Sequence, residues 1–272
     1  MFDSELCRIW KNDRDRHPFV GEKLSSDEMK SCWESASNTY TDRWYKGMKD
    51  DIIAHLEKIG ILGKNKSMID IGSGPGIYAI PMCQYMKYIT CLDASPGMLS
   101  RLRDECAKQS IDNIMTKEAD WDEYVSERKY DVAFSSLCPP VNTPESILKM
   151  ESCAIDDCVY ISSANVNTGI HIMIWNELGR DYSYHGYHTK YPCKFLKECG
   201  RKPELKMFSE HISYETTVED AIANESRLIG KYRKVDDKIS TIVREIVESH
   251  SSDGIIKTDE ELRLGLLTWK PL

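Results

Sequence analysis

A glycine-rich turn directly after a short apolar segment constrains the fold of this chain more than any other feature. Residues 68–71 are Met-Ile-Asp-Ile, and glycines then stand at alternate positions, Gly72, Gly74 and Gly76, before an apolar helical pattern begins. This pattern is typical of a buried strand that turns tightly into a helix. Because glycine has no Cβ, a ligand can approach the backbone there. The free N–H groups of a helix start favour a polar or anionic ligand.

The spacing of the glycines and of the next acidic residue narrows the class of ligand. A dinucleotide-binding turn has the pattern G-x-G-x-x-G, whereas the third glycine here comes one position early and Ile77 takes its place. No Gly-Lys-Ser/Thr follows, which excludes a phosphate-binding P-loop. The next apolar run ends at Asp93, and an acidic residue about 20 positions after such a turn can accept both hydroxyls of a ribose. The combination indicates an adenosine-type ligand.

These residues resemble the class I S-adenosylmethionine (SAM)-dependent methyltransferases. Two motifs carry the resemblance, D-x-G-x-G-x-G from Asp70 and L-D-x-S-P-x-M-L from Leu92. Weaker matches at 118–121 and 130–135 follow in the family's order. The resemblance covers residues 30–212 and the last strand.

The resemblance implies that SAM is the cofactor and S-adenosyl-L-homocysteine the product. Asp93 would hold the ribose hydroxyls, Asp120 would accept from the adenine amino group, and either Trp121 or Met98 would pack on the ring. A turn or helix-capping role would also explain the two aspartates. The cofactor-binding residues implied in this way are Asp70, Gly72, Ser73, Gly74, Gly76, Asp93, Ala94, Met98, Asp120, Trp121 and Ser135.

Short apolar segments alternate with helical patterns along most of the chain, which predicts parallel strands with helices on both faces. We therefore expect an α/β fold, namely a Rossmann-like, seven-stranded, mostly parallel sheet. Helices are expected at 76–86 and 121–127, among others. The expected organisation is an N-terminal arm and lid helices in 1–62, the SAM-binding core in 63–214, a helical insertion in 215–262 and the final core strand in 263–272.

Length, charge and cysteine content bound the function further. A chain of 272 residues suits one large domain, and its net charge of −8 disfavours a nucleic-acid partner. No apolar run approaches the length of a membrane span, so we expect a cytoplasmic protein without a membrane partner. The ten cysteines include no C-x-x-C pair, which favours reduced thiols over a metal site. The oligomeric state stays open.

Two segments are candidates for contact with the methyl acceptor. Tyr40 and Arg43 come just after Trp33 and Ala36, in a segment that is similar to the Trp-x-x-x-Ala-x-x-Tyr stretch of the family's lid over the cofactor. Cys138 lies in S-L-C-P-P, where members that methylate base amino groups carry Asn/Asp-Pro-Pro-Tyr/Phe. The broken pattern argues against methylation of bases. A plain loop and a thiol that lines the acceptor pocket both remain as explanations of this segment.

The segment 181–191 contains four tyrosines and two histidines. His185, His188 and Tyr184 are candidate catalytic residues, because a neutral histidine within hydrogen-bond reach of a hydroxyl or thiol can take its proton. Tyr187 is a candidate for substrate binding. Metal ligation by the two histidines and an ordinary aromatic surface loop remain alternatives.

The sequence thus predicts an enzyme that transfers a methyl group from SAM to a small molecule in an enclosed pocket. Transfer by in-line displacement needs a general base only if the attacking atom holds a proton, so no universal catalytic residue is expected. An NAD(P)-dependent Rossmann oxidoreductase, a non-catalytic SAM-binding protein and a protein or RNA methyltransferase stay open as alternatives. The acceptor and its attacking O, S, N or C atom are not identified by the sequence.

Overall fold

A computed structural model describes residues 2, 4–16, 31, 33–35, 37, 46–164, 169–179, 189–230 and 234–272. The helices within this part are α1 (Glu5–Arg16), α2 (Lys46–Lys58), α3 (Ala79–Met82), α4 (Pro96–Lys108), α5 (Pro144–Ser152), α6 (Ile170–Glu177), α7 (Lys190–Glu198), α8 (Val218–Gly230) and α9 (Asp237–Ser249). The strands are β1 (Ser67–Ile71), β2 (Tyr88–Asp93), β3 (Ile114–Glu118), β4 (Tyr130–Ser136), β5 (Ala154–Ser163), β6 (Glu204–Thr217) and β7 (Ile255–Trp269).

The seven strands form one sheet in the order β3-β2-β1-β4-β5-β7-β6. Strands β1 to β5 pair with one another in parallel, whereas β7 runs antiparallel to both β5 and β6. The predicted α/β fold with a mostly parallel, seven-stranded sheet is therefore confirmed. The strand order reverses beside β1, and in such sheets ligands bind beyond the carboxyl ends of the strands at this point.

Helices cover both faces of the sheet, because successive strand residues point to opposite sides and both sides are apolar. Met68 and Ile69, neighbours on β1, belong to two different apolar clusters. The first cluster includes side chains of α2, α3 and α4, and the second includes side chains of α1, α5 and α7. Within the described residues, no helix combines the length and apolar character needed to cross a bilayer.

Two helix predictions are wrong: one helix is shorter than expected and the other is a single turn. The helix predicted over 76–86 is limited to α3, followed by a 3-10 turn over Cys83–Tyr85. Pro81 has no N–H and fits only the first turn of a helix, so the helix begins late. The segment 121–127 forms a single turn, in which the Tyr124 N–H donates to the Asp120 carbonyl at 2.9 Å. It does not continue as a helix, because the Ser126 hydroxyl donates instead to the Arg128 carbonyl.

The expected helical insertion over 215–262 is partly strand. Its helices α8 and α9 end at Ser249, and β7 begins at Ile255. Strand β5 ends opposite Leu264, whereas β6 and β7 continue to pair as far as Thr217 opposite Ile255. At about 3.3 Å per residue, this hairpin arm reaches roughly 30 Å beyond the carboxyl end of β5.

The hairpin arm carries a helical unit with its own apolar core, here called the cap and formed by α6, α8 and α9. Trp175 of α6 and Val243 of α9 belong to a third apolar cluster, separate from the two that flank the sheet. The segment after β5 and the insertion between β6 and β7 therefore fold together, although they are far apart in sequence. The cap lies on the same side as the carboxyl ends of the parallel strands.

Candidate active site

The glycine turn leaves β1 at the carboxyl edge of the sheet. Gly72, Gly74 and Gly76 have φ values of 72°, 54° and 87°, which L-residues rarely adopt. A Cβ on Gly72 or on Gly76 would lie less than 3.0 Å from a neighbouring side chain, that of Cys138 or Leu102 respectively. A Cβ on Gly74 would have no atom within 4 Å. The bare backbone of Gly74 therefore faces open space, where a ligand can approach it.

Asp93, the last residue of β2, joins this turn to the following helix. Its Oδ2 accepts a hydrogen bond from the Gly74 N–H at 2.8 Å, and its Oδ1 accepts one from the Ser95 N–H at 2.9 Å. Burial raises the pKa of Asp93, whereas these two hydrogen bonds and one from the Ala94 N–H lower it. Because a carboxylate offers about four acceptor positions, Asp93 retains capacity for a ligand hydroxyl.

Asp70 lies behind the turn and is 2% exposed. Burial, together with the neighbouring Asp93 carboxylate, raises the pKa of Asp70 to about 8. Asp70 is therefore mostly protonated at neutral pH and can donate a hydrogen bond.

The start of α4 is capped twice. The Ser95 hydroxyl accepts from the Met98 N–H at 3.2 Å, as expected of an N-cap serine, and Met98 is buried. Oε2 of Glu34, from the N-terminal segment, also accepts from the Ser95 hydroxyl at 2.7 Å and from the Gly97 N–H at 2.8 Å. Sequence reasoning missed Glu34, since nothing local in the sequence relates it to a helix so far along the chain.

The end of β4 lies against the turn. The Ser135 hydroxyl donates to the Ile71 carbonyl at 3.0 Å, which ties β4 to β1. Leu137 has a φ of 48°, and such strain in a non-glycine residue is often found at functional sites. Cys138 is buried under Gly72, and burial raises the pKa of its thiol to about 12, so it stays protonated.

Asp120 and Trp121 follow β3 at the same edge. The Asp120 carboxylate accepts from the Asp122 N–H at 2.9 Å and so stabilises the single turn that replaces the expected helix. Trp121 is 4% exposed and belongs to an apolar cluster on the sheet. The Lys149 Nζ lies 4.6 Å from the centre of its ring, so this ring is already packed on one face.

The structure thus brings the glycine turn, Asp93, Ala94, Asp120 and Ser135 to one edge of the sheet. The predicted acceptor and catalytic residues Tyr40, Arg43, Tyr184, His185, Tyr187 and His188 lie outside the described residues. Tyr191, in α7, lies beside α1, and its hydroxyl donates to Asp13 at 2.5 Å. The Tyr191 ring also stacks on Trp10, with 6.1 Å between the ring centres.

A mostly parallel sheet with an antiparallel β7 between β5 and β6, and a D-x-G-x-G-x-G turn at the strand reversal, define the class I methyltransferase fold. Residues 68–151 match the family model described as a methyltransferase domain. This part of the chain is therefore similar to a methyltransferase domain.

A curated protein of Haemophilus influenzae, described as uncharacterized, is 24% identical over 118 residues, or 43% of this chain and 44% of that protein. The match thus spans less than half of that relative.

Solved structures have the same fold. The YcgJ protein of Bacillus subtilis aligns with a TM-score of 0.56 at 10% identity, over 80% of this chain and 97% of that one. A methyltransferase candidate from Bacillus halodurans aligns with a TM-score of 0.52 at 16% identity, over 80% and 98%. The magnesium protoporphyrin IX methyltransferase of Synechocystis, with bound SAM, has a TM-score of 0.50 at 16% identity, over 68% and 92%. At these identities the likeness shows the fold.

Proposed function

We propose that this protein is an enzyme that transfers the methyl group of SAM to a small-molecule acceptor. The observation that carries the proposal is the exposed backbone of Gly74 beside the Asp93 carboxylate, at the strand reversal of a methyltransferase domain. When bound, SAM supplies an electrophilic methyl group on a positively charged sulfonium.

The residues at the sheet edge fit SAM. Asp93 has acceptor capacity left for a ribose hydroxyl, and Gly74 offers backbone without a Cβ. We assign the adenine amino group to Asp120 and the methionine portion to the backbone near Gly72 and Ser135. Trp121 has a smaller role in this assignment than the sequence implied, because its ring is packed in the apolar cluster. The buried Asp70 would stay protonated beside Asp93 at neutral pH.

The position of the hairpin arm and the cap is the reason for choosing a small acceptor in an enclosed pocket. The hairpin arm and the cap extend past the carboxyl edge on the β5 side, where an acceptor would enter. Such walls position the attacking atom in line and exclude water from the reacting groups. Tyr40, Arg43 and Tyr187 remain candidates for acceptor contact, and Tyr184, His185 and His188 for proton removal. Cys138 is left out, since its thiol packs under Gly72.

Other features support the proposal over its alternatives. The early third glycine disfavours an oxidoreductase that binds NAD(P), and the net charge of −8 disfavours an RNA methyltransferase. The described cysteines are all free, in keeping with a reducing compartment such as the cytoplasm.

Calorimetric titration with SAM, S-adenosylhomocysteine, NAD and NADP tests the cofactor. We expect binding of the two adenosyl compounds, weakened at least tenfold in Asp93→Asn and unchanged in the matched control Asp104→Asn, a site exposed on α4. Binding of a dinucleotide alone would overturn the proposal. Transfer of labelled methyl groups to a panel of metabolites then separates an enzyme from a protein that only binds SAM, and transfer confined to protein or RNA would contradict a small acceptor.

A further inference from the structure

Residues of the N-terminal segment form hydrogen bonds with the start of α4. We call the residues involved, 33–35 and 37, the clasp. Glu34 of the clasp accepts hydrogen bonds from the Ser95 hydroxyl and the Gly97 N–H, at 2.7 and 2.8 Å. Arg101, one helical turn further along α4, donates to the backbone carbonyl of Ser37. Two separate points on one helix therefore hold the clasp.

Gly97 leaves the room that this contact needs. A Cβ on Gly97 would lie less than 3.0 Å from the carboxylate of Glu34 and from the Ser37 hydroxyl. Gly97 has no positive φ, so its backbone conformation does not explain the glycine. Inside a helix an alanine is intrinsically more favourable than a glycine. The space taken by Glu34 is thus the structural reason for a glycine at this position.

A continuous series of hydrogen bonds runs from the clasp to the glycine turn. Glu34 binds the hydroxyl of Ser95, the Ser95 N–H binds Asp93 Oδ1, and Asp93 Oδ2 binds the Gly74 N–H. Each member fixes the position of the next, and Asp93 and Gly74 are the groups that we assign to the cofactor. The negative charge of Glu34 also lies at the N-terminus of a 13-residue helix, where it is favourable.

We propose that Glu34 is a positioning residue that couples docking of the clasp to cofactor binding. This inference rests on the proposed function, since it takes SAM as the ligand of Asp93 and Gly74. Glu34 holds Ser95, and Ser95 in turn holds Asp93 in the orientation that receives the ribose. Because coupling between sites is reciprocal, bound SAM stabilises the docked clasp to the same degree as the docked clasp tightens SAM binding.

The test uses two variants that break the contact from opposite sides in the full chain. Glu34→Gln removes the charge, and Gly97→Ala fills the space that the carboxylate occupies. Each should weaken SAM binding roughly tenfold in calorimetry, a typical size for coupled sites. In turnover each should raise KM for SAM and leave kcat near the wild-type value, because the loss is in binding. Glu57→Gln, an exposed position on α2, is the matched control and should bind SAM as the wild type does.

Two further comparisons separate positioning from general damage. The double variant should bind SAM no more weakly than the worse single variant, since both changes remove one contact. Gly97→Ala should change the melting temperature of the free protein little, because the gain from alanine in the helix offsets the loss of the clasp contact. Unchanged SAM affinity in both single variants, or fully additive losses, would overturn the role of Glu34. A wild-type protein that does not bind SAM would instead refute the proposed function.

Discussion

The side chain of Cys138 fills the space beside Gly72 that a β-carbon would need. A Cβ on Gly72 would lie less than 3.0 Å from both Sγ and Cβ of Cys138. Since Cys138 follows β4 and Gly72 follows β1, this contact joins the ends of two neighbouring strands at the reversal of strand order. Gly72 is thus required for packing, whereas Gly74 faces open space.

Alanine at the two glycines should therefore give different defects. Gly72→Ala combines a left-handed backbone with overpacking against Cys138 and should lower the free energy of unfolding by about 2–5 kcal/mol. Gly74→Ala should lower the free energy of unfolding by only about 1–2 kcal/mol, the cost of the left-handed backbone. It also places a methyl group where SAM would approach. Urea unfolding and SAM titration of both variants measure the two effects.

Removal of the thiol provides the control for this pair. Cys138→Ala combined with Gly72→Ala should recover part of the lost stability, because the clash with Sγ is removed while the left-handed backbone and the close contact with the β-carbon of residue 138 remain. Equal unfolding free energies for Gly72→Ala with and without Cys138 would show that the contact has no energetic importance.

Asp70 should make the protein less stable as the pH rises. Its pKa is raised from 3.8, the ordinary value of an exposed aspartate, to about 8 in the folded chain, mainly by burial. Between these values the folded state holds a proton that the unfolded state has released. The stability from this proton is therefore fully present below pH 3.8 and is lost as the pH rises to 8. The slope attributable to Asp70 is about −1.4 kcal/mol per pH unit at most.

Urea unfolding of the cofactor-free protein at pH 5, 6, 7 and 8 measures this slope. Asp70→Asn cannot release the proton, so its unfolding free energy should depend less steeply on pH than that of the wild type. Asp104→Asn, at an exposed position, should keep the wild-type slope. Parallel curves for wild type and Asp70→Asn would contradict the assignment of a buried, protonated carboxyl group.

The local parts of the site could be predicted from the sequence because the residues that form each part are close together along the chain. The apolar run before Gly72 and the Ser-Pro start of α4 form the expected strand, turn and helix. The contact of Glu34 with Ser95 joins residues 61 positions apart and leaves no local pattern. The protonation of Asp70 depends on burial between β-strands, and a sequence window does not show burial of this kind.

The cap is not predictable as one unit for a related reason. The apolar spacing of α6 and of α8 and α9 predicts amphipathic helices, but it does not say which apolar faces meet. The packing of α6 against α8 and α9 depends on the hairpin arm. The length of that arm is seen only in the structure, where Thr217 pairs with Ile255. Amphipathic helices and polar strand edges give similar patterns over short stretches, which explains why the sequence places 255–262 in the helical insertion.

The cap should lose its structure more easily than the sheet. Ile239 is 2% exposed within the cap's own apolar cluster, so Ile239→Ala should cost about 2–5 kcal/mol locally. Hydrogen exchange of α8 and α9 should accelerate, SAM affinity should stay near the wild-type value, and methyl transfer to the acceptor should fall. Ile52→Ala, in the cluster beside the sheet, is the control and should accelerate exchange in the sheet instead. Uniform acceleration in both variants would show that the cap and the sheet unfold together.

Glu260, where the hairpin arm meets the cap, should also destabilise the protein at neutral pH. Burial and the nearby Glu225 carboxylate raise the pKa of Glu260 above 4.5. The stability that its protonated form contributes is present below pH 4.5 and is lost as the pH rises through the folded-state pKa. Glu260→Gln should therefore be more stable than the wild type at pH 7, by less than about 1 kcal/mol because solvent screens the half-buried group, and equal to it at pH 4. Glu261→Gln, on the opposite face of β7 beside Arg263, should show no such gain in thermal unfolding at the two pH values. A gain for Glu260→Gln that persists at pH 4 would assign the effect to side-chain packing and not to charge.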